Sequence, residues 1–448
     1  MDTLQSIQTA GVIGAGGAGF PTHVKLNTKA EYVLLNGAEC EPLLRVDQQL
    51  MKVHPVEIVG GLLLAREVTG AHNAIIGVKK SHPDVIDVLR STIASMGAEP
   101  LVSVGELPDV YPAGDEQVLV HELTGRTVPE TGIPAAVGCV VINAETAYNM
   151  FNAAKGQPVT EKYVTVGGCV PNPVTVKVPV GTPVSLLLEA AGILPEDYDN
   201  YEIINGGPMM GPLLHMENNP VDRYVTKKSK GYLVLPKDHG LIQKKQKTME
   251  AAVRINRAAC EQCSMCTDLC PRHLLGHSTT PHKMVRSLAY GLTADETMTA
   301  ALTCCQCNLC EYFSCPAGIN PRMANLYYMT ELRKNGIKHT PKASFEDHPM
   351  RPYRQVPSSR LIARLGLKQY NKAAPLQEDL QFHPAHVALS LKDHVGAPAT
   401  PLVSTGEHIV AGQLIAAVQE GNLGANVHAS LTGVVEEVNQ THIIIRAE

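Results

Sequence analysis

The chain has 448 residues, a net charge of -5, 44 % hydrophobic residues and no tryptophan. That length exceeds a single hydrophobic core and predicts two to four domains. Scarce Phe and Tyr, absent Trp and the lack of a Lys/Arg-rich run exclude the stacking platforms and basic footprints of a nucleic-acid partner. The longest nearly apolar run, VEIVGGLLLA, is half the length of a membrane span, and the first twenty residues hold Asp2 and no basic n-region. The expectation is a cytoplasmic protein without a membrane span.

The N-terminal stretch GVIGAGGAGFPTHVKL (11–26) contains Gly14, Gly16 and Gly19 in the pattern G-x-G-x-x-G. A dinucleotide fold requires a strand immediately before that pattern. Here a polar helical segment precedes it, with only Val12 and Ile13 strand-like, although Glu39 follows Gly19 by twenty residues behind the strand-like YVLLN. A second reading fits better: glycines with free φ let successive N–H groups wrap an anion or lie flat against a ring, and Pro21 then starts a helix. Lys25, one turn in, can reach a phosphate. NGAECEP (36–42) places Glu39 and Glu41 on alternate positions, and YPAGDEQ (111–117) adds the adjacent carboxylates Asp115 and Glu116. Two acidic turns beside a glycine loop suit a ribityl or ribose hydroxyl array next to a phosphate cradle.

Residues 161–192, EKYVTVGGCVPNPVTVKVPVGTPVSLLLEAAG, alternate apolar and polar positions in two strands joined by a Pro-Asn-Pro turn, then open a helix. This is a β-grasp pattern. INGGPMMG (204–211) is a glycine-rich loop expected to pack back on the first domain.

Nine of the twelve cysteines lie between Cys260 and Cys315. CEQCSMCTDLCP sets Cys260, Cys263, Cys266 and Cys270 in the ferredoxin run C-x2-C-x2-C-x3-C-P, and Cys304, Cys307, Cys310 and Cys315 repeat it with one extra residue before the last cysteine. Two [4Fe-4S] clusters follow, each run's fourth cysteine serving the other cluster: Cys260, Cys263 and Cys266 take Cys315, and Cys304, Cys307 and Cys310 take Cys270. A pair of zinc sites would leave each third cysteine and each Cys-Pro unexplained. Between the runs the spacing is helical. Cys305 is expected as a spare thiol beside a cluster, Cys40, Cys139 and Cys169 as small buried hydrophobes, and His273, His277 and His282 as a solvated face. From 394 to 438 short strands alternate with glycine turns as in a lipoyl-type barrel-sandwich, but ASLTGVV offers no lysine at its tip, so a structural module is expected.

GAGGAGFPTHVKL, NGAECEP, YPAGDEQ and INAET, in this order, resemble the flavin-binding subunit of respiratory NADH dehydrogenases and its relative, the RnfC subunit of ion-pumping electron-transfer complexes. The resemblance implies that Gly14, Gly16, Gly17, Gly19 and Lys25 form an FMN loop and that Asn36, Glu39 and Glu41 form its acidic turn, the two glutamates being the catalytic candidates. It further implies flavin contacts from Tyr111, Gly114, Asp115, Glu116, Asn143 and Thr146, with NADH stacking over the flavin. Ala15 stands where those dehydrogenases have arginine, and Val24 and Leu26 flank Lys25 where they have Gly and Trp. In RnfC the barrel-sandwich precedes the flavin domain, whereas here it is C-terminal, an order that resembles the cobalamin reductases of propanediol-utilisation bacterial microcompartments.

The fold implied is multidomain, α/β and α+β: an FMN/NADH domain (1–155), a β-grasp domain with connector (156–240), a helical two-cluster ferredoxin domain (245–340), a linker (341–382) and a barrel-sandwich hybrid (383–448). The function implied is electron transfer from NADH through FMN and two clusters to cobalamin, with an adenosyltransferase and microcompartment shell or lumen proteins as partners. The D-x-H-x-x-G box that holds a corrinoid is absent, which suits cobalamin as substrate. An RnfC-like subunit of a membrane complex and a non-catalytic, cluster-carrying adaptor are the alternatives.

Overall fold

The computed structural model describes residues 2–214 and 223–448. Near-continuous apolar runs form four parallel strands, β1 (Tyr32–Asn36), β2 (Asn73–Lys79), β3 (Val102–Leu107) and β5 (Cys139–Asn143), in the order β3-β2-β1-β5; a short β4 (Val110–Tyr111) lies outside this sheet. Such runs are expected where both faces of a parallel sheet are covered. Val33, Leu35 and Ile142 point to one face, packed by α3 (Val46–Val53), α4 (Pro55–Thr69), α5 (Pro83–Ser95) and α7 (Ala144–Ala154). Leu34 and Val141 point to the other, under α6 (Glu116–Thr124).

The chain runs outward from β1 through β2 to β3 and returns on the opposite side of β1 as β5, so strand order reverses between β1 and β5. In open α/β sheets ligands bind outside the carboxyl ends of the strands at that reversal. Asn36 and Asn143, the last residues of β1 and β5, are register partners there. The glycine loop comes before β1, between α1 (Thr3–Thr9) and α2 (Thr22–Leu26). It is therefore not the strand-to-helix turn of a dinucleotide fold.

The β-grasp domain forms as its pattern predicts: β6 (Glu161–Gly168) and β7 (Val174–Pro179) pair antiparallel across the Pro-Asn-Pro turn, followed by a helix over Val184–Ala190. Its sheet is completed by β8 (Tyr201–Asn205), β9 (Leu213–Leu214) and β10 (Gly231–Pro236). The stretch 341–382, expected as a linker, is a structured strap. It pairs β11 (Val356–Pro357) with β4 and β12 (Leu376–Gln377) with β7, and buries Val356, Leu361 and Leu367. Those apolar residues, each isolated among polar ones, gave no periodic signal.

The cysteine region is helical, with Met249–Ala259, Pro281–Ala289 and Pro321–Lys334 packed around Met284, Val285, Tyr328 and Leu332. The C-terminal domain is a sandwich of two small sheets, β13 (His386–Ser390), β19 (His442–Ala447), β18 (Gly433–Val438) and β15 (His408–Ile409) facing β14 (Thr400–Pro401), β16 (Leu414–Ala417) and β17 (Val427–His428). Among the described residues no helix is long and apolar enough to cross a membrane.

Candidate flavin and cluster sites

The two acidic turns, the glycine loop and the start of α7 converge at the carboxyl ends of β1 and β5. Ala15 N–H donates to Thr146 Oγ1 at 3.0 Å, which fixes the loop on α7. Gly16 and Gly17 form its exposed tip, and a Cβ on Gly16 would sit 3.1 Å from Asn143 Nδ2. Gly19 has a φ of 72° and a Cβ there would lie 2.7 Å from the carbonyl of Asp393, so only glycine fits without strain. Asn36 Nδ2 donates to Gly114 O at 2.9 Å, tying the first acidic turn to the second, and Lys25 pairs with Glu116 at 2.9 Å. The site residues drawn from the glycine loop, the two turns and the start of α7 are thus neighbours.

The carboxylates divide their work. Glu39 accepts from the backbone N–H groups of Asp47 (2.8 Å) and Gln48 (3.2 Å) and so caps α3, and Asn143 Nδ2 donates to both carboxylate oxygens of Asp47. Glu41 points the opposite way and accepts from Met209 and Met210 N–H, both at 2.9 Å, which seats the INGGPMMG loop on the flavin-side turn. Burial pushes both carboxyls above their usual range. Asp115 caps α6 and pairs with Arg272 at 2.9 Å.

Several charged residues at this site gave no sequence signal. Lys162 and Glu145 form an ion pair with both side chains 1 % exposed, and Lys162 also donates to Ala15 O at 3.3 Å beneath the glycine loop. Lys230 pairs with Asp47, and Lys227 donates to Gly11 O and Asn426 O, both at 2.9 Å, joining the loop to the C-terminal domain.

The cysteines line two hollows. Cys260, Cys263, Cys266 and Cys315 line the first; Cys270, Cys304, Cys307 and Cys310 line the second, together with Cys305 and Arg322. The fourth cysteine of each run lies in the other run's hollow. Both runs bend alike: Gln262 and Ser264 flank Cys263, Gln306 and Asn308 flank Cys307, and all four have φ between 54° and 64°. Four non-glycine residues in the left-handed region mark backbone strained into a cradle. The extra residue in the second run is absorbed by a π-turn over Cys310–Ser314, the form such insertions take at functional sites. Among the described residues no three His, Cys, Asp or Glu converge closely enough for one metal ion. Four thiols set around a hollow rather than around a point fit a multi-iron cluster and not a single zinc.

The two hollows differ in place. In the first, Cys315 is buried but Cys263 is exposed, whereas in the second Cys270, Cys307 and Cys310 are each 8 % exposed and Cys304 is half-buried. The second is bracketed by the flavin side: Tyr111 hydroxyl donates to Cys307 O at 2.7 Å, Arg272 reaches Asp115, and Asn308 Nδ2 donates to Met209 O. The histidines are not a solvated face. His277 is buried between the domains, with Nε2 3.0 Å from Val128 O and burial pushing it down to about 4, and His273 and His282 are half-buried. The sequence spacing could not show that another domain covers this face.

Comparison with known proteins matches these units. Residues 7–152 match the Nuo51 FMN-binding domain, 163–213 the SLBB domain, 259–320 the 4Fe-4S dicluster domain and 366–448 the RnfC barrel sandwich hybrid domain. The cobalamin reductases PduS of Citrobacter freundii and Salmonella typhimurium are each 42 % identical over 443 residues, 98 % of this chain and 95 % of theirs. The chain belongs to the PduS family. A component of the Na(+)-translocating ferredoxin:NAD(+) oxidoreductase complex of Acetobacterium woodii is 34 % identical over 274 residues, 60 % of this chain and 57 % of that one. An oxidoreductase with an FMN-binding and a two-cluster domain is thereby established, and the zinc alternative is set aside.

Proposed function

We propose that this chain oxidises NADH at the glycine loop and passes electrons singly to cobalamin, by way of the second hollow and then the first. A flavin held there would accept one hydride, an electron pair with its proton, and supply the electrons singly, a form that two [4Fe-4S] clusters can carry. The observation that carries the reading is the bracketing of the buried second hollow by Tyr111, Asp115 and the Glu41-held loop, with the exposed Cys263 at the far hollow.

The residues divide the tasks. Gly14, Gly16, Gly17 and Gly19 let backbone lie against a ring, and Lys25, freed from Glu116, faces a phosphate. Asn36, Gly114, Asn143 and Thr146 position these turns. Glu39 and Glu41, proposed from resemblance as catalytic, act here by fixing backbone, since each carboxylate already holds two N–H groups. Cys260, Cys263, Cys266 and Cys315 hold one cluster, and Cys270, Cys304, Cys307 and Cys310 the other.

Cobalamin as acceptor rests on the relatives of that name, and location in a bacterial microcompartment beside an adenosyltransferase rests on the resemblance alone. The test is a comparison of half-reactions in Cys263→Ser and Cys307→Ser: NADH should still bleach bound flavin, while cobalamin reduction slows. Undiminished cobalamin turnover in both variants would remove the clusters from the path.

A further inference from the structure

The second hollow has one arginine in its wall and a second beside it, and the first has neither. Arg322 lines the second hollow and donates from Nη2 to Gln306 Oε1 at 3.3 Å. Arg272 follows Cys270 and Pro271 directly, is 9 % exposed, donates from Nη2 to Asp115 Oδ2 at 2.9 Å and turns its guanidinium toward Cys305 and Cys304. The Nε atoms of both arginines are buried with no hydrogen-bond partner among the described residues. A buried N–H without an acceptor forfeits its hydration for nothing in return, and native structures seldom leave one so. One such donor lines the cysteine hollow and the other stands beside Cys305 at its edge, which points to acceptors that belong inside it. The lining of the first hollow contains Glu261 and His282 but no lysine or arginine.

We propose that Arg272 and Arg322 are the fixed counter-charges of the second cluster, aiming Nε–H at its sulfur atoms and holding its reduction potential within reach of the flavin. This rests on reading the second hollow as a [4Fe-4S] site. The physical need is specific to that hollow. Reduction adds negative charge to a site three of whose four thiols, Cys270, Cys307 and Cys310, are buried, and a low-dielectric surround disfavours the more charged state. Fixed cations and N–H donors favour it, and both are recognised determinants of cluster potential. At the first hollow, beside exposed Cys263, water performs that task. Asp115 offsets part of the Arg272 charge, so the two residues act on the potential with opposite signs.

The experiment is an EPR-monitored redox titration of the full-length, anaerobically loaded protein, with iron and sulfide measured on the same samples. Arg322→Gln and Arg272→Gln should each lower the midpoint of the second cluster and leave the first where it was, whereas Asp115→Asn should raise it. A purely structural role would not give shifts of opposite sign from the two ends of one ion pair. An unchanged midpoint in both glutamine variants, with roughly eight irons retained, overturns the proposal. If the glutamine variants fail to load, Asp115→Asn decides alone: a raised midpoint supports the assignment and an unchanged or lowered one overturns it. Wild-type protein holding only about four irons would instead remove the reading of the second hollow, and this proposal with it.

Discussion

The hydroxyl of Tyr111 donates to the backbone carbonyl of Cys307 across 2.7 Å, joining the turn that carries Gly114 and Asp115 to the middle cysteine of the second run. Burial pushes the phenol well above its ordinary range, so Tyr111 is a neutral donor at any physiological pH. Tyr111→Phe leaves the Cys307 carbonyl unpaired, and the expected loss is about 1–3 kcal/mol of stability. Flavin and iron contents should stay near wild type while electron passage from flavin to cluster slows. Denaturant unfolding and stopped-flow absorbance read the two effects separately.

The crossed arrangement of the cysteines makes a prediction that an uncrossed one does not. Cys270→Ser should alter the spectrum of the cluster held by Cys304, Cys307 and Cys310, and Cys315→Ser that of the cluster held by Cys260, Cys263 and Cys266. Mössbauer or EPR spectra in which each variant damages its own run's cluster instead would reject the pairing.

Gly16→Val should release FMN while preserving iron, because a Cβ at Gly16 already meets Asn143 Nδ2 at 3.1 Å and the added methyls enter the space the loop faces. Gly19→Ala adds a left-handed backbone penalty of about 1–2 kcal/mol and a contact with Asp393 O at 2.7 Å. It should weaken flavin binding and also loosen the C-terminal domain. Flavin fluorescence against iron content checks both; unchanged flavin occupancy in Gly16→Val would assign the loop another task.

Two buried histidines set an acid limit. His277 and His428 are each pushed down to about 4, burial being the main cause and nearby cations adding to it. A group with a lowered folded pKa contributes stability that is present above its unfolded value near 6.5 and lost as pH falls toward 4. The slope is up to ~1.4 kcal/mol per pH unit for each histidine. Thermal unfolding between pH 7 and 4 should show it, and His277→Gln should flatten the curve in that window. A curve as steep in the variant would place the acid sensitivity elsewhere.

What the sequence disclosed followed from local pattern. The C-x2-C-x2-C runs, the β-grasp alternation and YVLLN all encode their structure over a few residues, and each formed where the pattern lay. The strap did not announce itself, because Val356, Leu361 and Leu367 share no period and are buried in one core assembled from segments distant in sequence, such as Tyr111, Ile204 and Leu309. His277 looked solvated because its cover, the flavin-side Val128, is far away in sequence. Asp47, Lys162, Lys230 and Arg272 were missed for the same reason: each is an ordinary surface residue type until a distant partner buries it. The glutamates show the converse. Their motif was legible, but only the fold reveals that Glu39 caps α3 and Glu41 holds Met209 and Met210.

Electron transfer from NADH to cobalamin is tested most directly by anaerobic turnover of cobalamin by fully loaded protein with NADH as the sole donor, compared with the background from an equal concentration of free FMN. Cobalamin reduction should run well above that background and fall in Cys263→Ser and in Cys307→Ser, while flavin bleaching by NADH persists in both. Rapid reduction of artificial dyes by the loaded wild type, with cobalamin turnover no faster than free FMN, would contradict it.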